Sequence, residues 1–363
     1  MCKHPDRRLL FLMLLLYACG PAALTSPPAT NTPPPRPAPT PTILFAVLPP
    51  LTADTISLIF DDDGSADGTT ALFYLLIHPN IALKAVGISY GEAHPQIYVQ
   101  HVARTLESFG ITDVPLGAGQ DQPLAGNNAF PDFLRQSADE FWGLPVPNRE
   151  KTYPVEEAAQ LIVSLVNESP EPISIFLSGP STNLAQALRI DPGIRDNIAG
   201  VYIMGGAIFV PGNIPGLLPQ SANVVAEWNI YADPLATKEV LESGLDIYLV
   251  PLDATDMVTI GREDTSHWRN GGPIADMIAD LYDSLMTSWG VSQIPIWDLM
   301  TATIMTDRDY CGFRHLHLDV TTEEGPAMGR TLAAEGQPNA YVCLSPDVSL
   351  IKQALRDTFS NSD

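Results

Sequence analysis

The chain has 363 residues, 45% of them hydrophobic, and a formal net charge of −23. That apolar content is enough to bury a real core and excludes an intrinsically disordered chain. The acidic excess, with no Lys/Arg stripe to offset it locally, excludes nucleic acid as a partner.

Residues 1–18 read as a signal peptide. Lys3, Arg7 and Arg8 precede a short apolar run at 9–17, and the small residue Ala18 stands before Cys19. The run is too short to span a bilayer as a lasting helix, which takes about 20 apolar residues. Leu16-Tyr17-Ala18-Cys19 resembles a bacterial lipobox, which implies export, acylation of Cys19 and anchoring to the cell membrane through that lipid. A plain secretory signal containing a cysteine is the competing reading. Residues 21–42 hold nine prolines in 22 positions, a composition that favours polyproline II and packs no core. The expected organisation is therefore a lipidated Cys19 and spacer over 19–54, followed by one domain over 55–363. The cysteines show no CxxC spacing, which argues against a zinc site. With Cys2 removed and Cys19 acylated, Cys311 and Cys343 remain, either as a disulfide, which an exported context permits, or as two buried free thiols.

From residue 56 short apolar runs alternate with helical periodicity. Strands are predicted at 56–60, 83–89, 173–177, 200–204 and 245–251, and helices at 69–77, 97–110, 155–167, 183–190 and 234–243. Strands apolar on both faces and separated by helices predict a doubly wound, mostly parallel open α/β sheet, in which ligands bind beyond the carboxyl ends of the strands. A late pair of strands, 316–321 and 340–344, is expected to close the domain.

The first strand ends in Phe60-Asp61-Asp62-Asp63-Gly64-Ser65-Ala66-Asp67-Gly68. Adjacent carboxylates at a strand end repel one another unless a cation or ordered donors compensate, so a metal site is the economical explanation; an acidic turn with Asp67 capping the helix is the bland one. Two families carry a strand followed by DxDG. For a haloacid-dehalogenase-type phosphatase, Lys238, Asp253 and Asp256 would have to take the remaining roles, and the match goes no further.

The other resemblance runs over nearly the whole domain. The strand-end motif is similar to the DxDxGxDD of the inosine/uridine-preferring nucleoside hydrolases. Ser178-Gly179-Pro180-Ser181-Thr182-Asn183-Leu184, Met204-Gly205-Gly206-Ala207, Ala226-Glu227-Trp228-Asn229-Ile230-Tyr231-Ala232-Asp233-Pro234 and Trp297-Asp298 resemble further motifs of that family, in the same order. The resemblance implies hydrolysis of the N-glycosidic bond of a small-molecule nucleoside by a metal-activated water. It implies that Asp63 is both calcium ligand and general base, with Asp298 and the main-chain carbonyl of Ser178 as further ligands. Asp67, Glu227 and Asn229 would hold the ribose, with Asn213 assisting. Such residue types suit an oxocarbenium-like transition state, which carboxylates stabilise and a hard cation helps a water to attack. Glu227 and Asn229 are expected two apart on a strand, facing one side. A homo-oligomer is compatible with the sequence, which sets no oligomeric state.

Three positions depart from the pattern. Gly68 replaces an Asp ligand, which implies a weakened calcium site that Gly68→Asp would tighten, with Asp62 expected to point away by strand alternation. His94 aligns with a ribose-contacting Asn. Trp297 replaces a His that helps the base depart; it cannot act as an acid but can stack on a base. The alternative function is therefore a catalytically impaired nucleoside-binding lipoprotein.

Overall fold

The computed structural model describes residues 45–49 and 55–360. The signal peptide, Cys19 and most of the expected spacer lie outside the described residues. The spacer boundary moves, because Ala46 N–H donates to the Phe313 carbonyl at 2.6 Å and Arg308 donates to the Pro49 carbonyl. Residues 45–49 thus belong to the folded unit.

In chain order the elements are β1 (Ile56–Asp62), α1 (Ala66–Ile77), β2 (Ile81–Ile88), α2 (Pro95–Ser108), β3 (Leu116–Ala118), α3 (Asp132–Asp139), β4 (Glu156–Glu157), α4 (Ala158–Glu168), β5 (Ile173–Leu177), α5 (Thr182–Ile190) and β6 (Ile198–Met204). There follow α6 (Ile214–Leu217), α7 (Trp228–Ala232), α8 (Pro234–Leu241), β7 (Ile247–Val250), α9 (Leu252–Thr255), β8 (Thr259–Gly261), α10 (Arg262–Trp268), α11 (Pro273–Trp289) and β9 (Gln293–Pro295). The chain ends with α12 (Trp297–Thr306), β10 (Cys311–Leu316), β11 (Leu318–Val320), β12 (Thr331–Ala333), β13 (Ala340–Pro346) and α13 (Val348–Ser360). All five predicted strands and all five predicted helices form, β5 with the expected bounds and the others with shifted ends.

Nine strands build one sheet in the order β10-β13-β7-β6-β5-β1-β2-β3-β4, parallel except for the edge strand β10. Alternate residues feed opposite faces. Phe60, Val86, Phe176 and Tyr202 pack on one side, and Ile59, Ala85, Ile175 and Val201 on the other. Both faces are covered, which is why these strands read as unbroken apolar runs. The closing pair differs from expectation. β13 pairs with β10 and β7, while β11 lies in a separate two-stranded sheet with β12. The expected strand 316–321 straddles the break between β10 and β11, which periodicity alone does not reveal. Cys311 and Cys343 form a disulfide, Cα to Cα 5.8 Å, tying β10 to β13.

Strand order reverses around β1: the chain steps from β1 to β2 on one side, and β5 flanks β1 on the other. The crevice beyond the carboxyl ends of β1 and β5 is therefore the topological switch point, where this architecture places ligands.

Candidate active site

Three consecutive aspartates end β1 at that crevice, each almost fully buried. Asp61 accepts from Asn183 Nδ2 at 2.8 Å, and burial pushes its carboxyl up to about 7 despite that bond. Asp62 accepts from Ser178 Oγ at 2.9 Å and from the Gly64 N–H at 3.1 Å, and burial raises it to about 7 as well. Asp63 receives the Glu92 N–H on Oδ2 at 3.1 Å, while its Oδ1 is buried without a partner. Burial first, then the neighbouring Glu92 and Asp62 carboxylates, lift Asp63 well above the usual carboxylate range. Gly91 permits this packing, since a Cβ there would lie 2.2 Å from Asp63 Oδ2.

Helix α1 begins three residues after β1 and folds back over the strand end. Ser65 caps it, accepting the Gly68 N–H at 2.7 Å and donating to Asp298 Oδ2 at 3.0 Å. Asp298, in the first turn of α12, is 4% exposed and its Oδ1 has no partner. Burial, with Asp67, Asp62 and Asp63 nearby, holds its carboxyl well above the usual range. Asp67, expected to hold a ribose hydroxyl, is largely committed already. It accepts from Tyr282 Oη, Thr70 Oγ1 and the Asp298 N–H, so it braces α1 against α11 and α12. Burial still raises it to about 6.

Glu227 and Asn229 are not on a strand. Glu227 is the N-cap of the short helix α7, accepting the N–H groups of Asn229 (2.9 Å) and Ile230 (3.2 Å), together with the Gly206 N–H at 3.0 Å. A five-residue segment, Trp228-Asn229-Ile230-Tyr231-Ala232, is too short for periodicity to tell a helix from a strand, and the capping carboxylate decides between them. Asn229 nevertheless reaches the crevice: its Nδ2 donates to the Ser178 carbonyl at 3.2 Å and the Met204 carbonyl at 3.1 Å. Asn213 joins through Oδ1, which accepts the Trp228 N–H at 3.1 Å. The insertion between them loops out, since Asn213 N–H also donates to the Ala226 carbonyl at 3.1 Å.

His94 is not brought to this cluster. It stands before α2 with Nδ1 2.7 Å from Asp139 Oδ2. Glu92, two residues earlier, takes the position facing the cluster; burial, then Asp62, Asp67 and Glu227, push its carboxyl up to about 8. Sequence reading missed Glu92 because the loop after β2 has no periodicity to orient its side chains. Trp297 is half-buried at the start of α12, and its Nε1–H donates to Asp256 Oδ1 at 3.1 Å. Phe141 and Trp268 pack in the core, whereas Trp142 rests on the β1–α1 turn, its Nε1–H donating to the Gly64 carbonyl at 2.9 Å.

Among the described residues none of these cluster carboxylates has a Lys or Arg ion-pair partner. Neither do three or more Asp, Glu, His or Cys side chains converge at metal-bonding positions there. Like-charged carboxylates hold apart until a counter-charge is supplied. The donor chemistry fits a hard cation, because the site offers carboxylates, a main-chain carbonyl and two orphaned buried oxygens, Asp63 Oδ1 and Asp298 Oδ1.

Residues 58–353 match the family described as inosine-uridine preferring nucleoside hydrolase. A pyrimidine-specific ribonucleoside hydrolase RihA of Citrobacter koseri is 29% identical over 304 residues, 80% of this chain and 94% of that protein. In structure the chain is similar to a plant nucleoside hydrolase, with TM-score 0.74 and 24% identity over 84% of this chain and 99% of that one. A purine-preferring ribonucleoside hydrolase from Gardnerella vaginalis gives TM-score 0.74 and 23% identity over 84% and 98% of the two chains. The fold and the ordered motifs along it agree with the sequence match, and the chain belongs to the inosine-uridine preferring nucleoside hydrolase family.

Proposed function

We propose that this protein hydrolyses the N-glycosidic bond of ribonucleosides to free base and ribose, with calcium held by Asp63, Asp298 and the Ser178 carbonyl. The observation that carries the reading is the pair of buried, unpartnered oxygens, Asp63 Oδ1 and Asp298 Oδ1, in a group of acids that no Lys or Arg neutralises. A bound calcium ion supplies the positive charge that acidifies a nearby water and balances the buried carboxylates.

Asp63 takes the proton of the attacking water. The Glu92 N–H occupies its Oδ2, which leaves Oδ1 for that transfer. Asn229 orients the Ser178 carbonyl through its amide N–H and keeps its own Oδ1 for a ribose hydroxyl. Glu227 and Glu92 line the same side with carboxylates, which favours positive charge developing on the sugar ring. The N–H of Trp297 is committed to Asp256, so this residue offers the base a ring face rather than a proton.

Ribose release from a panel of purine and pyrimidine nucleosides, assayed with calcium and with chelator, tests the reading; release that chelator abolishes is expected. The absence of an acid at Trp297 favours a second reading, a nucleoside-binding lipoprotein without turnover. Tight binding with no ribose released would select it. Export and anchoring through Cys19 are part of the proposal, supported by the N-terminal sequence and by the Cys311–Cys343 disulfide, a bond that persists in oxidising compartments.

A further inference from the structure

Strand alternation accounts for the direction of Asp62 but not for what it meets there. Its side chain does leave β1 on the other side from Asp63, but α1 turns back over that side, and its first turn brings Gly68 against the Asp62 carboxylate. A Cβ placed on Gly68 would lie 1.9 Å from Asp62 Oδ1 and 2.8 Å from Ser65 Oγ. The space a side chain at 68 would need is already filled by the carboxylate of residue 62. The two positions are therefore interdependent: a side chain at 68 would have to displace the Asp62 carboxylate from the place it occupies.

The same carboxylate is bound into the proposed cation site from two directions. Its Oδ1 accepts from Ser178 Oγ at 2.9 Å, on the residue whose carbonyl Asn229 orients. Its Oδ2 accepts the Gly64 N–H at 3.1 Å; the Oγ of the following Ser65, bonded to the Gly68 N–H, donates to Asp298 Oδ2 at 3.0 Å. The carboxylates of Asp63 and Asp298, each with one buried oxygen left without a partner, are close enough to feel the charge of Asp62. Each Asp62 oxygen accepts one hydrogen bond from the protein, which leaves acceptor capacity on both, since a carboxylate has about four lone-pair sites.

We propose that Asp62 is the third carboxylate of the cation site, delivered from β1 into the space left open by Gly68. This rests on the calcium reading above and removes the reason to expect a weakened site, because an acid missing from the first turn of α1 is replaced by one from the strand. It also reverses the effect expected of Gly68→Asp. The backbone at Gly68 is ordinary helix, so the obstacle to an acid there is the Asp62 carboxylate rather than a strained φ.

The test is calcium titration of the full chain by calorimetry, with thermal unfolding in chelator as the control for folding. Asp62→Asn keeps the volume and can still accept from Ser178, and it should weaken calcium binding by at least about 100-fold, the upper end of what loss of a supporting residue costs a metal site. Gly68→Asp alone should bind no more tightly than the unsubstituted protein. The double substitution Asp62→Ser with Gly68→Asp, which moves the carboxylate from strand to helix, should recover affinity to within about 10-fold of the unsubstituted protein, since ligand charge is restored. Asp62→Asn binding calcium within about twofold of the unsubstituted protein, or a folded Gly68→Asp binding more tightly, overturns the exchange while leaving the calcium reading intact. An unsubstituted protein that takes up no calcium overturns both.

Discussion

Ser65 and Asp298 lie 233 positions apart and share one hydroxyl, which donates to the Asp298 carboxylate at 3.0 Å while accepting the Gly68 N–H that opens α1. A helix cap and a candidate ligand are thus fixed by a single side chain. Ser65→Ala should lose about 1 kcal/mol as a cap and leave a second buried oxygen of Asp298 without a donor, for a total of roughly 1–3 kcal/mol. Urea unfolding in chelator reads the loss; an unchanged midpoint would mean the hydroxyl does neither job.

Asp63→Asn removes the proposed general base while preserving shape. Ribose release should fall by roughly 10²–10⁴-fold. The same change removes a carboxyl whose charged form burial, Glu92 and Asp62 all disfavour. The melting temperature in chelator should therefore hold or rise, and a marked fall would indicate that Asp63 is structural.

The cluster also makes stability depend on pH in a defined direction. Asp61 and Asp62 rise from 3.8 to about 7 in the folded protein, chiefly through burial. Between those values the folded chain holds protons that the unfolded chain has released, so stability falls as pH rises through this window and levels off above about 7. Melting curves in chelator should show that decline, and calcium should offset it most on the alkaline side. A melting temperature that instead climbs from pH 4 to 7 would contradict the burial of these acids without a counter-charge.

Glu92 and His94 separate cleanly by experiment. Glu92→Ala should raise the KM for ribonucleosides by about 10-fold, the equivalent of roughly one good hydrogen bond to a charged group, with little effect on melting. His94→Ala should leave KM unchanged, because its ring is engaged with Asp139 at 2.7 Å. Equal effects from both would place His94 back at the ribose.

Cys19→Ala should move the protein from the membrane to the soluble exported fraction. Retention in the membrane, with processing unchanged, would rule out the lipid anchor.

The doubly wound sheet was legible because β1, β5 and β6 are apolar on both faces and separated by helical periodicity, a pattern that depends on local sequence alone. The positions of Asp63 just after β1 and of Asp298 in the first turn of α12 were legible because motifs place them at element ends. What escaped were side-chain directions set by chain reversal. The direction of Asp62 follows from alternation, but its neighbour does not, since that depends on how tightly α1 folds back after Gly64. Glu92 was hidden in an irregular loop, and Glu227 looked like a strand residue because its capping role appears only once the N–H groups of Asn229 and Ile230 are seen to converge on it.

The disulfide between Cys311 and Cys343 has a mechanical consequence. The described N-terminal segment joins the fold at β10 and at the turn before it, through Ala46 to the Phe313 carbonyl and through Arg308 to Pro49. Tension applied to the chain from its N-terminal side therefore reaches β10, an edge strand of the sheet with β13 as its one neighbour. Cys311–Cys343 locks that strand to β13, so β10 cannot be peeled from the sheet past the bridge without breaking a covalent bond. In the sheet order the crevice at β1 lies beyond β13, β7, β6 and β5, away from the strand that the bridge secures.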